Sequence, residues 1–379
     1  MNQENQSKPK SRDYKEILTK LKAKIEMDRA AGKPGEPVTL FGVTISSDIQ
    51  LKFIEELLKD LETQEEGEEV PGKHLFGFEF DKVHYDSVTP NNKPTKKPGL
   101  SALLITPEGS EGKELSIICY QHGTEILRDY APSKFYDNPG WLEERFVEVL
   151  IAGHIAIKNN CAVLMADYQG MGDDQKKEDP NYYVQPYMAA YPLARSVVDL
   201  LKHVRANLQS GGYKWKWNKK LYLIGYSQGG FVTMATAREL RKDPNITITK
   251  CAPMAGPYSL SDVELEVLHK PFDWGYFLPM LIRGYYHTYD PGDPDGKYFT
   301  KEFAFKSLDP KTDCRVLWNE VVPYDNSQKS YDTLKVQADR LKLDINKFSV
   351  EPWILPPGPI HVRAALPCFL EAAEWFRQE

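Results

Sequence analysis

The N-terminal part of the chain follows a helical period of apolar residues. In "DYKEILTKLKAKIEM" the apolar positions recur every three or four residues, which places them on one face of a helix. "SSDIQLKFIEELLKDLE" repeats this period, and Ser47 and Gln50 have the spacing of a capping box. We therefore predict a helical N-terminal extension over residues 1–72.

From residue 73 the pattern becomes that of strands. "LFGFEFDKVHY" alternates apolar and polar residues, and "LSALLITP" reads as a second strand. Short apolar runs typical of buried parallel strands follow in "LSIICY", "CAVLMA", "LYLIGY" and "ITKCAPMA". Amphipathic stretches separate them, such as "WLEERFVEVLIA" and "YPLARSVVDLLKHVRANL". This alternation predicts an α/β fold whose sheet is mostly parallel, with an antiparallel start that makes it mixed.

An aromatic-rich segment interrupts the alternation. "FDWGYFLPMLIRGYYHTY" leads us to predict an inserted cap over residues 262–312. The strand and helix pattern returns with "CRVLW", "SQKSYDTLKVQADRL", "EPWIL" and "AALPCFLEAAEWF". The core is therefore predicted in two parts, residues 73–261 and 313–379.

A serine between glycines stands where one predicted strand gives way to a helix. In "LYLIGYSQGGFVTMA", Gly225 and Gly229 flank Ser227 in a G-x-S-x-G pattern. Small residues permit a sharp strand-to-helix turn that pushes the serine side chain clear of the sheet. We predict Ser227 as a nucleophile; the alternative is a tight turn with a capping serine.

A serine nucleophile needs a base, and His361 is the candidate. It follows the last predicted strand and precedes the last helix. The carboxyl ends of strands in such a sheet converge on one crevice, so His361 and Ser227 are expected on the same rim. Six other histidines are interpreted as surface or cap residues: His74, His84, His154, His203, His269 and His287.

Attack on a carbonyl creates an oxyanion that backbone N–H groups stabilise. One donor is expected from Gln228, directly after the serine. The other is expected in "QHGTEI", after the strand "LSIICY", from Thr124 or Gly123. The alternative for His122 and Gly123 is an ordinary turn at a strand end.

Several blocks in order now resemble a known superfamily. "YQHGT", "ADYQGMGD", "GYSQGG" and "HVRAALPCFLEAAEWF" look like the α/β-hydrolase superfamily, and more narrowly the secretory-lipase-like esterases of fungi and bacteria. The resemblance covers residues 115–376, less surely the strands from residue 75. It implies ester hydrolysis through a Ser-His-acid triad without metal or cofactor, with Ser227 and His361 in two of the three roles.

The acid of the triad does not follow the pattern of the resemblance. In "CRVLWNEVVPYDNSQ", Asn319 stands where the aspartate is expected. Glu can serve as the acid on this fold, so Glu320 is the predicted acid. Asp325 and Asp262 remain alternatives, as does the absence of any carboxylate. Asp167 in "ADYQGMGD" is expected to order its loop rather than to catalyse.

Composition narrows the classes of protein. The 379 residues carry a net charge of −6, which does not suggest a nucleic-acid partner. "YKWKWNKK" mixes basic and aromatic residues but is interpreted as a surface turn. No transmembrane segment or secretory signal is recognised. The five cysteines are expected to be free thiols in a reducing compartment, so a cytoplasmic location is predicted.

The sequence therefore predicts a serine esterase acting on a hydrophobic ester or acyl substrate beneath an aromatic cap. The rings of the cap are equally compatible with a core of their own. Two other functions stay open. One is a biosynthetic acyltransferase, cyclase or lyase on the same fold, suggested by the altered acid loop. The other is a binding protein without turnover. A homodimer through the N-terminal helices is possible.

Overall fold

The computed structural model describes part of the chain, and it contains a seven-stranded mixed sheet. Side chains and backbone are described in most of residues 77–89, 94–95, 98–137, 147–173, 185–258, 277–289 and 365–378, and only Ala23 and three short strands are described before residue 77.

Two short strands lie in the segment predicted to be helical. They are β1 (Val38–Leu40) and β2 (Val43–Ile45), which pair antiparallel in a small separate sheet. The prediction of an entirely helical extension is therefore wrong at these residues. Both strands carry β-branched residues in "VTL" and "VTI", which favour extended backbone over helix. The predicted capping box at Ser47 and Gln50 lies outside the described residues.

The main sheet is built from the strands that the apolar runs predicted. They are β3 (His74–Leu75), β4 (Phe78–Tyr85), β5 (Leu100–Pro107), β6 (Glu114–Gln121), β7 (Cys161–Ala166), β8 (Lys216–Tyr226) and β9 (Lys250–Met254). Their order across the sheet is β3-β4-β5-β7-β6-β8-β9. The pairs from β3 to β7 are antiparallel, whereas β7, β6, β8 and β9 run parallel, so the predicted mixed sheet is confirmed.

Helices cover both faces of this sheet. The described helices are α1 (Lys134–Asp137), α2 (Val147–Asn159), α3 (Ala190–Ser210), α4 (Gln228–Leu240), α5 (Phe277–Tyr289) and α6 (Ala365–Arg377). One core cluster joins α2 and α6 to the sheet, and another joins α3 and α4. Along β6, Ile118 and Tyr120 enter the first cluster while Ile117 and Cys119 enter the second. This alternation explains why the four consecutive residues Ile117 to Tyr120 of β6 are all apolar.

The connections favour a ligand site at the carboxyl ends of β6 and β8. The chain leaves β6 through α2 to reach β7 on one side, then passes through α3 to reach β8 on the other side. At such a reversal the loops at the carboxyl ends of the two strands diverge and leave room for a ligand. The β6–β8 register pairs Gln121 with Gly225, so the two strands end at the same level. The candidate residues Thr124 and Ser227 follow these strand ends.

Three further expectations have an outcome in the fold. Four cysteines, Cys119, Cys161, Cys251 and Cys368, are buried free thiols, as predicted; Cys314 lies outside the described residues. The interpretation of "YKWKWNKK" as a surface turn is wrong in part. Its residues from Lys216 to Lys220 belong to β8, and this part of β8 pairs with β6. No helix within the described residues is long and apolar enough to cross a membrane.

Candidate active site

Ser227 occupies a strained turn between β8 and α4. Its backbone has φ 58° and ψ −122°, a conformation that residues with a Cβ rarely adopt. The Ser227 N–H donates to the Met254 carbonyl at 3.0 Å, and the Ser227 carbonyl accepts from Phe231 at 3.2 Å. Backbone bonds to β9 and to α4 thus hold the turn on both sides. Such stored strain is typical of functional positions, where surrounding structure enforces it.

The glycines around the serine are required by close backbone approaches. A Cβ on Gly225 would lie 2.5 Å from Thr233 Oγ1 and would collide with the Gly229 carbonyl. A Cβ on Gly229 would lie 2.9 Å from the His122 carbonyl and would collide with that of Gln121. The start of α4 is therefore pressed against the end of β6. The G-x-S-x-G pattern corresponds here to a sharp turn packed on its neighbouring strand.

Gln228 begins α4 and is fully buried. The first N–H groups of a helix have no acceptor within the helix, and the helix dipole adds partial positive charge there. The Gln228 N–H therefore belongs to a terminus that suits a developing negative charge beside Ser227.

The turn after β6 faces this helix start. Residues His122, Gly123 and Thr124 form it, and we call it the oxyanion turn after the role that the sequence predicts for it. A Cβ built on Gly123 would come within 4.0 Å of the Tyr226 carbonyl, one residue before the serine. The structure therefore brings together Ser227, Gln228 and the oxyanion turn, which the sequence separates by about a hundred positions.

Both backbone groups of Gly123 are already engaged. Its N–H donates to the Glu148 carboxyl, at 3.0 Å to Oε1 and 3.2 Å to Oε2. Its carbonyl accepts from His122 Nδ1 at 2.8 Å, so that nitrogen carries the proton. Burial lowers the pKa of His122 to about 4, which keeps the imidazole neutral near pH 7. The hydrogen bond to the Gly123 carbonyl makes His122 a structural part of the turn.

The loop after β7 contacts the oxyanion turn through Tyr168. Tyr168 stacks on the His122 ring with centroids 4.1 Å apart and donates its hydroxyl to the His122 carbonyl at 3.0 Å. Asp167, fully buried, accepts from the Ser101 hydroxyl at 2.5 Å and from the Ser133 N–H at 2.8 Å. Burial raises the pKa of Asp167. These contacts match the loop-ordering role expected for Asp167.

An apolar cluster flanks the oxyanion turn on the other side. The Thr124 hydroxyl lies 3.0 Å from the Tyr187 hydroxyl, so one donates to the other. Tyr187 and Met188 are buried with Met280 of α5, and further apolar residues pack against these three. Those residues are Ile126, Phe231, Leu281 and Tyr285. Gly284 allows α5 to approach Tyr187 closely, because a Cβ at this position would lie only 2.8 Å from the Tyr187 carbonyl. Part of the predicted cap is thus a helix packed beside the oxyanion turn.

The other predicted site residues fall outside the described residues. These are the base His361, the acid Glu320, its alternatives Asp325 and Asp262, and Asn319. The triad therefore stays a prediction. Among the remaining histidines, one interpretation is wrong: His154 is buried within α2 rather than at the surface or in the cap. In the described parts of the chain, no group of three His, Cys, Asp or Glu side chains is arranged to hold a metal ion.

Sequence reasoning missed three residues that shape the turn. Glu148, Tyr168 and Tyr187 all contact it, yet none belongs to a motif near it in sequence. Tyr168 offered a signal, because it lies two residues after the strand "CAVLMA", at the carboxyl edge of the sheet. Glu148 is one of several acids in "WLEERFVEVLIA", and the sequence alone gives no reason to choose it.

Comparisons with known proteins agree on the fold. A hydrolase from Legionella pneumophila, described only as a putative one, aligns with 87% of this chain and 95% of its own, at 20% identity and a TM-score of 0.53. The rice cell wall degrading esterase LipA from Xanthomonas oryzae aligns with 79% of this chain and 89% of its own, at 18% identity and a TM-score of 0.51. A different structure of LipA matches over only 58% of its length, with a TM-score of 0.48.

The sheet order, the turn at Ser227 and the two likenesses with TM-scores of 0.53 and 0.51 together define the fold. The chain has the α/β-hydrolase fold, as its sequence blocks predicted. No family model and no curated protein matches this chain.

Proposed function

We propose that this protein is a serine hydrolase that cleaves carboxylic esters through an acyl-enzyme. One observation carries the proposal: Ser227 occupies a strained strand-to-helix turn whose helix start packs against the oxyanion turn. The solved structures that share the fold include a protein named as an esterase and one named as a hydrolase. A sharp turn that served only to cap a helix would not require a second turn with backbone donors beside it.

The proposed reaction proceeds in two halves. His361 takes the proton of the Ser227 hydroxyl as Oγ attacks the ester carbonyl, while Glu320 orients the imidazole. The N–H groups of Gln228 and Thr124 stabilise the oxyanion. Thr124 is preferred over Gly123 as the second donor, because the Gly123 N–H is bound to Glu148. His361 then protonates the leaving alcohol, and water releases the acid by the same steps.

The substrate is proposed to carry a hydrophobic acyl or alcohol group. The cluster of Tyr187, Met188 and Met280 lies next to the oxyanion turn, where one arm of a bound ester would extend. Apolar surface beside a few polar groups is the usual composition of a small-molecule site. Ester substrates of increasing chain length are therefore expected to gain in kcat/KM until they exceed this cluster.

The test is steady-state hydrolysis of p-nitrophenyl esters from acetate to octanoate. Wild-type protein is expected to turn them over, and Ser227→Ala is expected to lose roughly 10⁴-fold or more in kcat. Circular dichroism controls for folding of the variant. Turnover that survives in Ser227→Ala contradicts the proposal. If an added alcohol yields a new ester instead of the free acid, the function is acyl transfer rather than hydrolysis. The altered acid loop leaves this second function open.

A further inference from the structure

Glu148 stands in the first turn of α2, directly behind the oxyanion turn. Both of its carboxyl oxygens lie within hydrogen-bond distance of the Gly123 N–H, at 3.0 and 3.2 Å. A Cβ on Gly123 would lie 2.9 Å from Oε1, so a larger residue at position 123 would shift the Glu148 carboxyl from this contact. Glu148 is neither a member of the predicted triad nor a predicted oxyanion donor.

We propose that Glu148 is a positioning residue for catalysis: its carboxylate holds the Gly123 N–H and thereby fixes the direction in which Thr124 presents its own N–H. This inference rests on the proposed function, because it assigns the Thr124 N–H to the oxyanion of the reaction.

Peptide geometry carries the argument. In a trans peptide the N–H points opposite to the preceding C=O, so the Gly123 carbonyl and the Thr124 N–H are fixed together. His122 Nδ1 holds that carbonyl at 2.8 Å, and Glu148 holds the N–H on the other side of Gly123. Glycine has the widest backbone freedom of any residue, so a turn built on it needs such restraints. With both peptides held, the donor direction of Thr124 is set before substrate arrives.

The setting of Glu148 favours a role in catalysis over one in stability. Although the residue is partly exposed, its carboxyl group is buried, and burial raises its pKa to about 7. The Gly123 N–H lowers that pKa in part, and so does the nearby Tyr120 hydroxyl, which has no hydrogen-bond partner of ordinary geometry in the part of the chain that the structure describes. Among the described residues the carboxyl forms no ion pair. Burying an unpaired carboxylate costs stability, and a neutral acceptor would cost less.

The experiment compares Glu148→Ala and Glu148→Gln with a matched control, Glu79→Gln. Glu79 Oε1 also accepts a glycine N–H, that of Gly109 at 3.4 Å, but it does so on β4, three strands from β6. Rates are measured on a p-nitrophenyl ester and divided by the concentration of active sites from titration. Affinity for a boronic acid, which forms an anionic adduct on the serine, is measured in parallel.

Glu148→Ala is expected to lower kcat roughly 10- to 100-fold, because a displaced donor of this kind costs on that order. KM is expected to change less than about twofold, and boronic acid affinity to fall with kcat/KM. Glu148→Gln keeps an amide oxygen as acceptor and is expected to retain more activity. Glu79→Gln is expected to match wild type.

The outcomes separate the two levels of the proposal. Wild-type kcat in Glu148→Ala, or a loss confined to KM, overturns the role of Glu148 alone. An equal loss in Glu79→Gln also overturns it, since the effect is then general. Turnover that persists in Ser227→Ala overturns the proposed function together with this inference. If Glu148→Ala does not fold, Glu148→Met takes its place, because its side chain has a similar length but no oxygen acceptor, and an unchanged kcat in that variant overturns the role of Glu148.

Discussion

Two turns border the candidate site, and they are held in different ways. The turn at Ser227 is fixed by backbone: glycines allow close approach, and main-chain bonds to Met254 and Phe231 enforce its positive φ. The oxyanion turn is fixed by side chains from three other segments: Glu148, Tyr168 and Tyr187. The first turn is therefore held by main-chain contacts, whereas the second depends on side chains from other segments of the fold.

The comparison predicts that the Ser227 turn fails abruptly when its backbone contacts are blocked. Gly229→Ala places a Cβ against the carbonyls of Gln121 and His122, so it is expected to displace α4 and lower kcat about 10³-fold. Overpacking of this kind also costs about 1–3 kcal/mol of stability. Kinetics and thermal unfolding measure both effects.

A matched glycine serves as the control for Gly229. Gly212 has no φ in the left-handed region, and a Cβ there would lie 3.0 Å from the flexible Asn207 side chain and 3.4 Å from the Asn207 carbonyl, an ordinary contact distance. Gly212→Ala is expected to change stability by less than about 0.5 kcal/mol. If Gly229→Ala behaves like Gly212→Ala, the serine turn is not held by the contacts described here.

The oxyanion turn is expected to fail gradually, because several side chains share its support. His122→Ala removes the donor to the Gly123 carbonyl and the ring that stacks on Tyr168. Because Glu148 still holds the Gly123 N–H, kcat is expected to fall only about 10- to 100-fold, with KM nearly constant. Steady-state kinetics normalised to active sites provide the measurement. A loss as large as that of Gly229→Ala would contradict the distinction between the two turns.

The smallest expected effect is a pH dependence of stability that comes from Glu148. Its folded pKa, about 7, lies above the ordinary value of 4.5. Between these values the unfolded state releases the proton first, so wild-type stability falls as pH rises from 4.5 to 7 and then levels off. Glu148→Gln lacks this loss, and its Tm advantage over wild type is expected to grow across the same interval.

Titratable groups near Glu148 do not produce the pH-dependent difference in Tm between Glu148→Gln and wild type. Burial raises the pKa of Tyr120 and of Tyr168, so both face Glu148 as neutral phenols near pH 7. His122, with its lowered pKa, acts in the opposite direction below pH 6.5 but equally in both proteins. A Tm difference that is constant with pH would show that the Glu148 carboxyl titrates as an exposed group.

The same contrast explains what the sequence could predict. The strands, the mixed sheet and the turn at Ser227 could be predicted, because their signals, the apolar runs and the glycines beside the serine, lie within the elements themselves. The side chains that hold the oxyanion turn, such as Glu148 and Tyr187, lie 25 to 63 positions further along the chain than the residues they contact. No local sequence pattern therefore predicts these contacts. The strands at Val38–Leu40 and Val43–Ile45 were missed because a strong helical period surrounds them.

The most direct test of the central claim is covalent labelling of the nucleophile. Wild-type protein is incubated with a fluorophosphonate, digested and analysed by mass spectrometry, with Ser227→Ala as control. The account predicts one adduct, on the peptide that contains Ser227, and none on the variant. An unlabelled Ser227 in folded protein, or equal labelling of Ser227→Ala elsewhere in the chain, would contradict it.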